Sequence, residues 1–156
     1  MPVHVVLFQP QIPQNTGNIS RLCAGTDTHL HLVKPLGFSL DDRYLKRAGL
    51  DYWPHVKLHL HDSLDDAIGN VPFHDVAMLS RHATRPYTAF EPPEEPWLVF
   101  GRETSGLSTT VSEGDQPRLY RIPINDKVRS FNLANSVAIM LFETLRRRGF
   151  PSQGGA

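Results

Sequence analysis

A chain of 156 residues, 40% hydrophobic and 21% charged, fits one soluble globular domain that buries its own core without staples. Sixteen Lys and Arg balance sixteen Asp and Glu, which excludes a general polyanion binder but leaves room for a local basic face. No apolar run is long enough to span a membrane, Met1 to His4 lacks a secretory pattern, and the lone Cys23 excludes an internal disulfide and fits a reducing, cytoplasmic setting.

His4 to Phe8 is a continuous β-branched and apolar run, which predicts a buried parallel strand. A polar, proline-containing loop follows from Gln9 to Gln14. Asn15 or Thr16 then caps a helix with Ile19, Leu22 and Cys23 on one face. Cys23 sits in the apolar run Leu22-Cys23-Ala24 and reads as a core thiol, not a nucleophile. His29 to Val33 predicts a second strand, stopped by Lys34-Pro35-Leu36-Gly37. A short helix over Asp41 to Arg47 and a third strand over Val56 to Leu60 come next. Ser63 caps a helix reaching Ile68, with Asp65 and Asp66 in its first turn. Val76 to Ser80, Trp97 to Phe100 and Tyr120 to Pro123 supply the remaining strands.

The last helix has the clearest pattern. Leu133, Val137, Met140, Leu141 and Leu145 fall at helical spacing, with Ser130 or Asn132 as cap. Arg146, Arg147 and Arg148 occupy its last turn and Gly149 ends it. Strands alternating with helices predict an α/β fold whose mostly parallel sheet is flanked by helices. We read residues 1–150 as a single domain and residues 151–156 as a flexible tail. Ligands of such sheets sit beyond the carboxyl ends of the strands, which directs attention to the loops there.

Three loops carry candidate chemistry. In Asn15 to Arg21 (NTGNISR), a glycine between two asparagines opens a helix, and Arg21 follows about one turn later. This arrangement either holds an anion at the helix start or is a plain cap with a surface arginine. In Phe100 to Leu107 (FGRETSGL), Gly101 and Gly106 let a ligand approach the backbone closely. The spacing is neither a Walker loop nor a Rossmann fingerprint. Glu103 either caps a helix or faces a cationic ligand. In Ile122 to Ser136, a polar loop leads into the final helix, where Ala134, Ser136 and Ala138 admit close packing of a helix or a ligand. His29/His31 and His59/His61 each put two imidazoles on one strand face, without partners that complete a zinc ligand set. We therefore expect no metal. The chain also lacks a G-x-S-x-G elbow.

Four stretches in order resemble the SPOUT superfamily of RNA methyltransferases: PQNTGNISR from Pro13 to Arg21, RAGLDYW from Arg47 to Trp53, FGRETSGL from Phe100 to Leu107 and RSFNLANS from Arg129 to Ser136. Together they nearly fill the chain. The run from Ala48 to Tyr52 resembles the small, single-domain branch that methylates the 2′-hydroxyl of the tRNA wobble nucleotide. The resemblance implies a C-terminal trefoil knot, a homodimer, S-adenosylmethionine as methyl donor, and the tRNA anticodon stem-loop as partner. Carried onto this chain, it implies backbone contacts to the cofactor at Leu79, Gly101, Ile122 and Ser130. Arg21, Asn18, Glu103 and Asn135 are the implied catalytic group. Arg43, Arg47, Tyr52 and Arg129 are our RNA candidates, because they lie in or beside the matching stretches. Two positions depart from the family: Ser108 stands where proline is common, and Phe142 where tyrosine is common.

Arginine is a poor general base, with a free pKa of about 12.5–13.8. We therefore assign Arg21 to holding a phosphate and stabilising a developing alkoxide. Competing readings are a methyltransferase for another tRNA or ribosomal RNA position, a non-catalytic RNA-binding module, and a small-molecule nucleotide-binding domain.

Overall fold

The computed structural model describes residues 1–49, 53–107 and 110–151. Six strands, β1 (His4–Phe8), β2 (His29–Val33), β3 (Lys57–His61), β4 (Val76–Leu79), β5 (Trp97–Phe100) and β6 (Leu119–Tyr120), form one sheet in the order β3-β2-β1-β5-β4-β6. Every pairing is parallel. The helices are α1 (Pro13–Gly25), α2 (Arg43–Gly49), α3 (Leu64–Ile68) and α4 (Leu133–Arg148).

Side-chain alternation divides the core between two faces. Val5, Leu7, Leu30, Leu32, Leu98 and Phe100 point toward α1 and α4, meeting Ile19, Cys23, Val137, Met140 and Leu141. Val6, Phe8, Val33, Met78 and Val99 point the other way and pack with Ala67 and Ile68 of α3. β1 is buried throughout because both of its faces are covered. Cys23 is fully buried, and burial raises its thiol far above the usual range, so it stays protonated.

The start of α1 corrects the sequence-based expectation. Ile12, not Asn15 or Thr16, is the cap residue, and it makes no side-chain capping bond. Pro13 explains the shift: its φ is preset for a helix, and it lacks an N–H that would be orphaned at the first position. Asn15 and Thr16 are instead buried inside the first turn. Gly17 lies where α1 meets α2. A Cβ there would come within 2.4 Å of the Ala48 Cβ and 3.2 Å of the Leu45 carbonyl oxygen.

Smaller shifts have local causes. α2 begins at Arg43 because the Asp42 carboxylate accepts from the Tyr44 N–H, as a cap does. A short turn over Trp53–His55 delays β3 to Lys57. β6 stops at Tyr120 because Arg121 turns to the Arg85–Tyr87 segment, donating to the Arg85 carbonyl and accepting from the Tyr87 N–H. The Ser63 and Gly149 expectations hold: Ser63 Oγ accepts from the Asp66 N–H, and Gly149 leaves α4 with φ at 113°. Of the two proposed caps for α4, the structure uses Asn132, whose side chain accepts from the Ala134 and Asn135 N–H groups. Among the described residues no helix is long and apolar enough to cross a membrane.

Candidate cofactor cleft and active site

The loops after β4, β5 and β6 meet the loop before α4 around a cleft of about 400 Å³, a size typical of small-molecule sites, roughly 300–1,000 Å³. Leu79, Gly101, Ile122 and Ser130 all line it, although they come from four separate segments. Phe100, Leu107, Ile124 and Leu133 give it apolar walls, and Glu103 and Arg129 add charge. Gly101 makes the tightest turn. The loop from Gly101 to Gly106 is closed by Arg102 N–H to the Gly106 carbonyl at 3.2 Å and Gly106 N–H to the Arg102 carbonyl at 2.9 Å. Only a residue without Cβ fits at 101, because the Gly106 backbone lies directly against it.

Glu103 joins this loop to α1. Its carboxylate accepts from the Gln11 N–H at 2.8 Å and the Ile12 N–H at 3.2 Å. In a capping box, a carboxylate at the third helical position binds the N–H of the cap residue. Here that third position is Asn15, and Glu103 supplies the carboxylate from across the fold. Gln11 returns the link: its Oε1 accepts from the Thr104 N–H at 3.3 Å and from the Thr104 hydroxyl at 2.8 Å. A second tie joins α4 to α1, where Asn132 Nδ2 donates to Asn15 Oδ1 at 3.0 Å. The loop from Gly101 to Gly106, the head of α1 and the head of α4 are thus one hydrogen-bonded unit.

Sequence reasoning did not single out Gln11, Thr104 or Asn15 for these contacts. No sequence signal marks them, because the partners are up to 117 positions apart. We expect Glu103→Ala to lose about 1–3 kcal/mol of stability, since two N–H groups lose a charged acceptor. Glu103→Gln should lose less, because one amide oxygen can still accept. Urea denaturation of the two variants checks this, and equal loss in both would rule out the capping role.

The remaining candidates are placed as follows. Asn18 and Arg21 lie on the exposed side of α1, and Asn135 is exposed on the first turn of α4. None of the three lines the cleft, but the two helices that carry them are the ones clamped to its loops. Arg43 and Arg47 are exposed on α2, which packs on α1. The Arg43 guanidinium lies 5.0 Å from the centre of the Tyr44 ring. Arg129 lies at the cleft itself. Tyr52 and Ser108 fall outside the described residues. Phe142 is 44% exposed, while the neighbouring Glu143 pairs with Arg146 at 2.6 Å. Among the described residues no three His, Cys, Asp or Glu side chains converge on a metal position.

Comparison with known proteins bears on this geometry. The model of the SpoU rRNA methylase family matches residues 2–142. The chain belongs to this family. A tRNA (cytidine(34)-2′-O)-methyltransferase of Burkholderia pseudomallei is 43% identical over 158 residues, covering 98% of this chain and 99% of its own. A relative in Geobacillus stearothermophilus, provisionally assigned the same activity, is 47% identical over 153 residues, covering 96% of this chain and 98% of its own. A structure solved for insight into 2-OH methylation of C/U34 on tRNA superposes with a TM-score of 0.80 at 40% identity, covering 93% of this chain and 95% of that one. The SpoU methyltransferase AviRb from Streptomyces viridochromogenes, solved with AdoMet, reaches a TM-score of 0.78 at 20% identity over 94% of this chain and 58% of that one. At that identity the likeness is one of fold.

Proposed function

We propose that this SpoU methylase transfers a methyl group from S-adenosylmethionine to the ribose 2′-hydroxyl of the tRNA wobble nucleotide, a cytidine or uridine at position 34. The convergence of Leu79, Gly101, Ile122 and Ser130 on one cleft carries this reading. The near full-length relatives assigned to cytidine 34 support the choice of position. Bound in the cleft, S-adenosylmethionine supplies a methyl group on a cationic sulfonium.

The residues of the chain do the rest. Backbone groups at the four cleft positions hold the donor without a metal. Phe100, Leu107, Ile124 and Leu133 keep water from the reacting atoms, which strengthens every electrostatic contact there. Arg21 holds the phosphate beside the target ribose and stabilises its oxygen as the proton passes to solvent on the exposed side of α1. Asn18 and Asn135 orient the ribose, and Glu103 keeps α1 in register with the cofactor loop. Most of the rate then comes from positioning two reactants in line.

As further parts of this proposal, residues 1–150 form a single catalytic domain with a C-terminal trefoil knot, and the protein is cytoplasmic and acts as a homodimer on the anticodon stem-loop. The return of α4 from the edge strand β6 to the middle of the sheet supports the knot. Exposed apolar rings, Phe142 on α4 and Phe150 just beyond it, with centroids 5.9 Å apart, support the dimer.

Incubation with radiolabelled S-adenosylmethionine and total tRNA, followed by nuclease mapping, tests the activity. Label on the ribose of nucleotide 34 is expected. Label elsewhere on RNA would discard the position, and absence of cofactor binding would favour a non-catalytic RNA-binding module. For the RNA surface, we expect Arg43→Ala, Arg47→Ala and Arg129→Ala each to reduce the slope of log K against log salt by about one. Unchanged slopes would show that these arginines do not meet phosphates.

A further inference from the structure

Five imidazoles come together on the sheet face that carries α3, away from the cleft loops. In the parallel register His4 lies beside His29, and His31 beside His59, while His61 pairs with Val33. Alternation turns all five side chains to one face. Their rings stack at short centroid distances: 4.5 Å for His31–His59, 5.1 Å for His31–His61 and 5.2 Å for His29–His59. The Trp97 ring lies flat against His4 at 3.9 Å.

Hydrogen bonds define a direction in this cluster. Glu95 Oε1 lies 2.7 Å from His4 Nε2, so that nitrogen carries the proton and His4 Nδ1 is an acceptor. His4 Nδ1 is 2.9 Å from His31 Nε2, which must therefore donate. His31 Nδ1 in turn accepts from His61 Nε2 at 2.8 Å. Neutral rings satisfy every bond in the row from Glu95 through His4 and His31 to His61. A second proton on His31 would turn its Nδ1 from acceptor to donor, so that His61 must change tautomer or lose the bond, and it would bury a charge among the other imidazoles. His29 Nδ1 and His59 Nε2, 2.9 Å apart, obey the same one-proton rule.

Few counter-charges are available. From β3, Lys57 adds positive charge next to His29, and Arg148 lines the adjoining groove with His29 and Lys57. Against these stand Glu95 beside His4 and Asp66 of α3 beside His61. Lys34 and Asp62, just beyond β2 and β3, neutralise one another at 3.4 Å. β3 is an edge strand with no fully buried side chain, and it is joined to β2 by a parallel backbone ladder and by the imidazole contacts.

We propose that the histidine row is a proton-operated latch: neutral rings hold edge strand β3 on β2, and acidification releases it. Burial pushes His31 down to about 2, with the neighbouring imidazoles His59, His4, His61 and His29 adding to the effect. Burial also sets His4, His29 and His61 below the ordinary imidazole range. The sign follows from linkage. The closed strand binds fewer protons than the released one, so the latch is at full strength above about pH 6.5. It weakens as pH falls below that value, and His31 alone favours release by about tenfold per pH unit.

Hydrogen exchange of the full chain at pH 7.5 and pH 5.5, corrected for intrinsic rates and read by peptide, tests the latch. Protection over 57–61 should fall at least about tenfold at pH 5.5, while 97–100 in β5 keeps its protection. The variant His31→Phe replaces the buried ring at the centre of the row by a ring of similar shape that cannot titrate, and in it the acid-dependent loss over 57–61 should fall well short of tenfold. Unchanged protection at both pH values overturns the proposal, as does an equal loss in β3 and β5 or the same loss in the variant. If the variant does not fold, NMR titration of the wild-type imidazoles decides. Joint titration near pH 6.5 without loss of β3 amide protection would equally sink the latch.

Discussion

Gly101→Ala should weaken the binding of S-adenosylmethionine by about 10- to 100-fold, since overpacking costs about 1–3 kcal/mol and each 1.4 kcal/mol is tenfold in affinity. A Cβ at this position would lie 2.1 Å from the Gly106 carbonyl carbon, 2.4 Å from the Leu107 nitrogen and 2.5 Å from the Gly106 Cα. All three are backbone atoms, so no rotamer change relieves the contact. The loop is also closed by paired Arg102–Gly106 hydrogen bonds and tied through Glu103 and Thr104 to the segment before α1. It must open or move as a unit, and either displacement shifts the backbone groups that face the donor. Gly25→Ala is the natural control, because nothing lies within 4 Å of a Cβ there. Isothermal titration with S-adenosylmethionine, with circular dichroism to verify folding, gives the answer. An unchanged dissociation constant in Gly101→Ala would mean that the cleft is not the donor site.

The second large effect concerns Arg21. If its guanidinium stabilises the ribose oxygen as the proton leaves, Arg21→Ala should reduce kcat by about 10²–10³-fold, the usual cost of losing one such donor. Binding of S-adenosylmethionine should be unaffected, since Arg21 does not line the cleft. Arg21→Lys should recover most of the loss, because a point charge can still face a phosphate or an alkoxide. Single-turnover methylation of tRNA with all three proteins separates the cases. A lysine variant as inactive as alanine would show that charge alone is insufficient and that the planar fork is required. Exposure of Arg21 on α1 is consistent with a partner that arrives from solution, as tRNA does.

Much of the site was readable before the fold was known. From residue type alone, the glycine pair around Arg102 to Ser105 marks a loop that a ligand can approach closely, and the polar loop before α4 a place where a helix or a ligand can pack. The four positions proposed to hold the cofactor come from resemblance, and the structure brings them together around one cleft. Glu103 shows the limit. Its residue type allowed both helix capping and cation binding, and only the fold shows its carboxylate on the Gln11 and Ile12 N–H groups. The histidines show the same limit. Their spacing revealed two pairs on two strands, but the addition of His4, Glu95 and Trp97 depends on which strands are neighbours.

The sequence by itself determined the elements. Strands β1, β2 and β5 and the body of α4 follow from runs of apolar residues at periods that local chemistry imposes. It also determined the family, because four motifs in order constrain the whole chain. The tertiary structure alone decided the order β3-β2-β1-β5-β4-β6, the capping of α1 from Glu103, and the joining of five imidazoles in one row. Those features depend on contacts between residues 21 positions apart, as for Val76 with Trp97, to 93 positions apart, as for His4 with Trp97. Periodicity and propensity act over a few residues, so such contacts arise only when burial of the whole core selects one packing of the sheet and its helices.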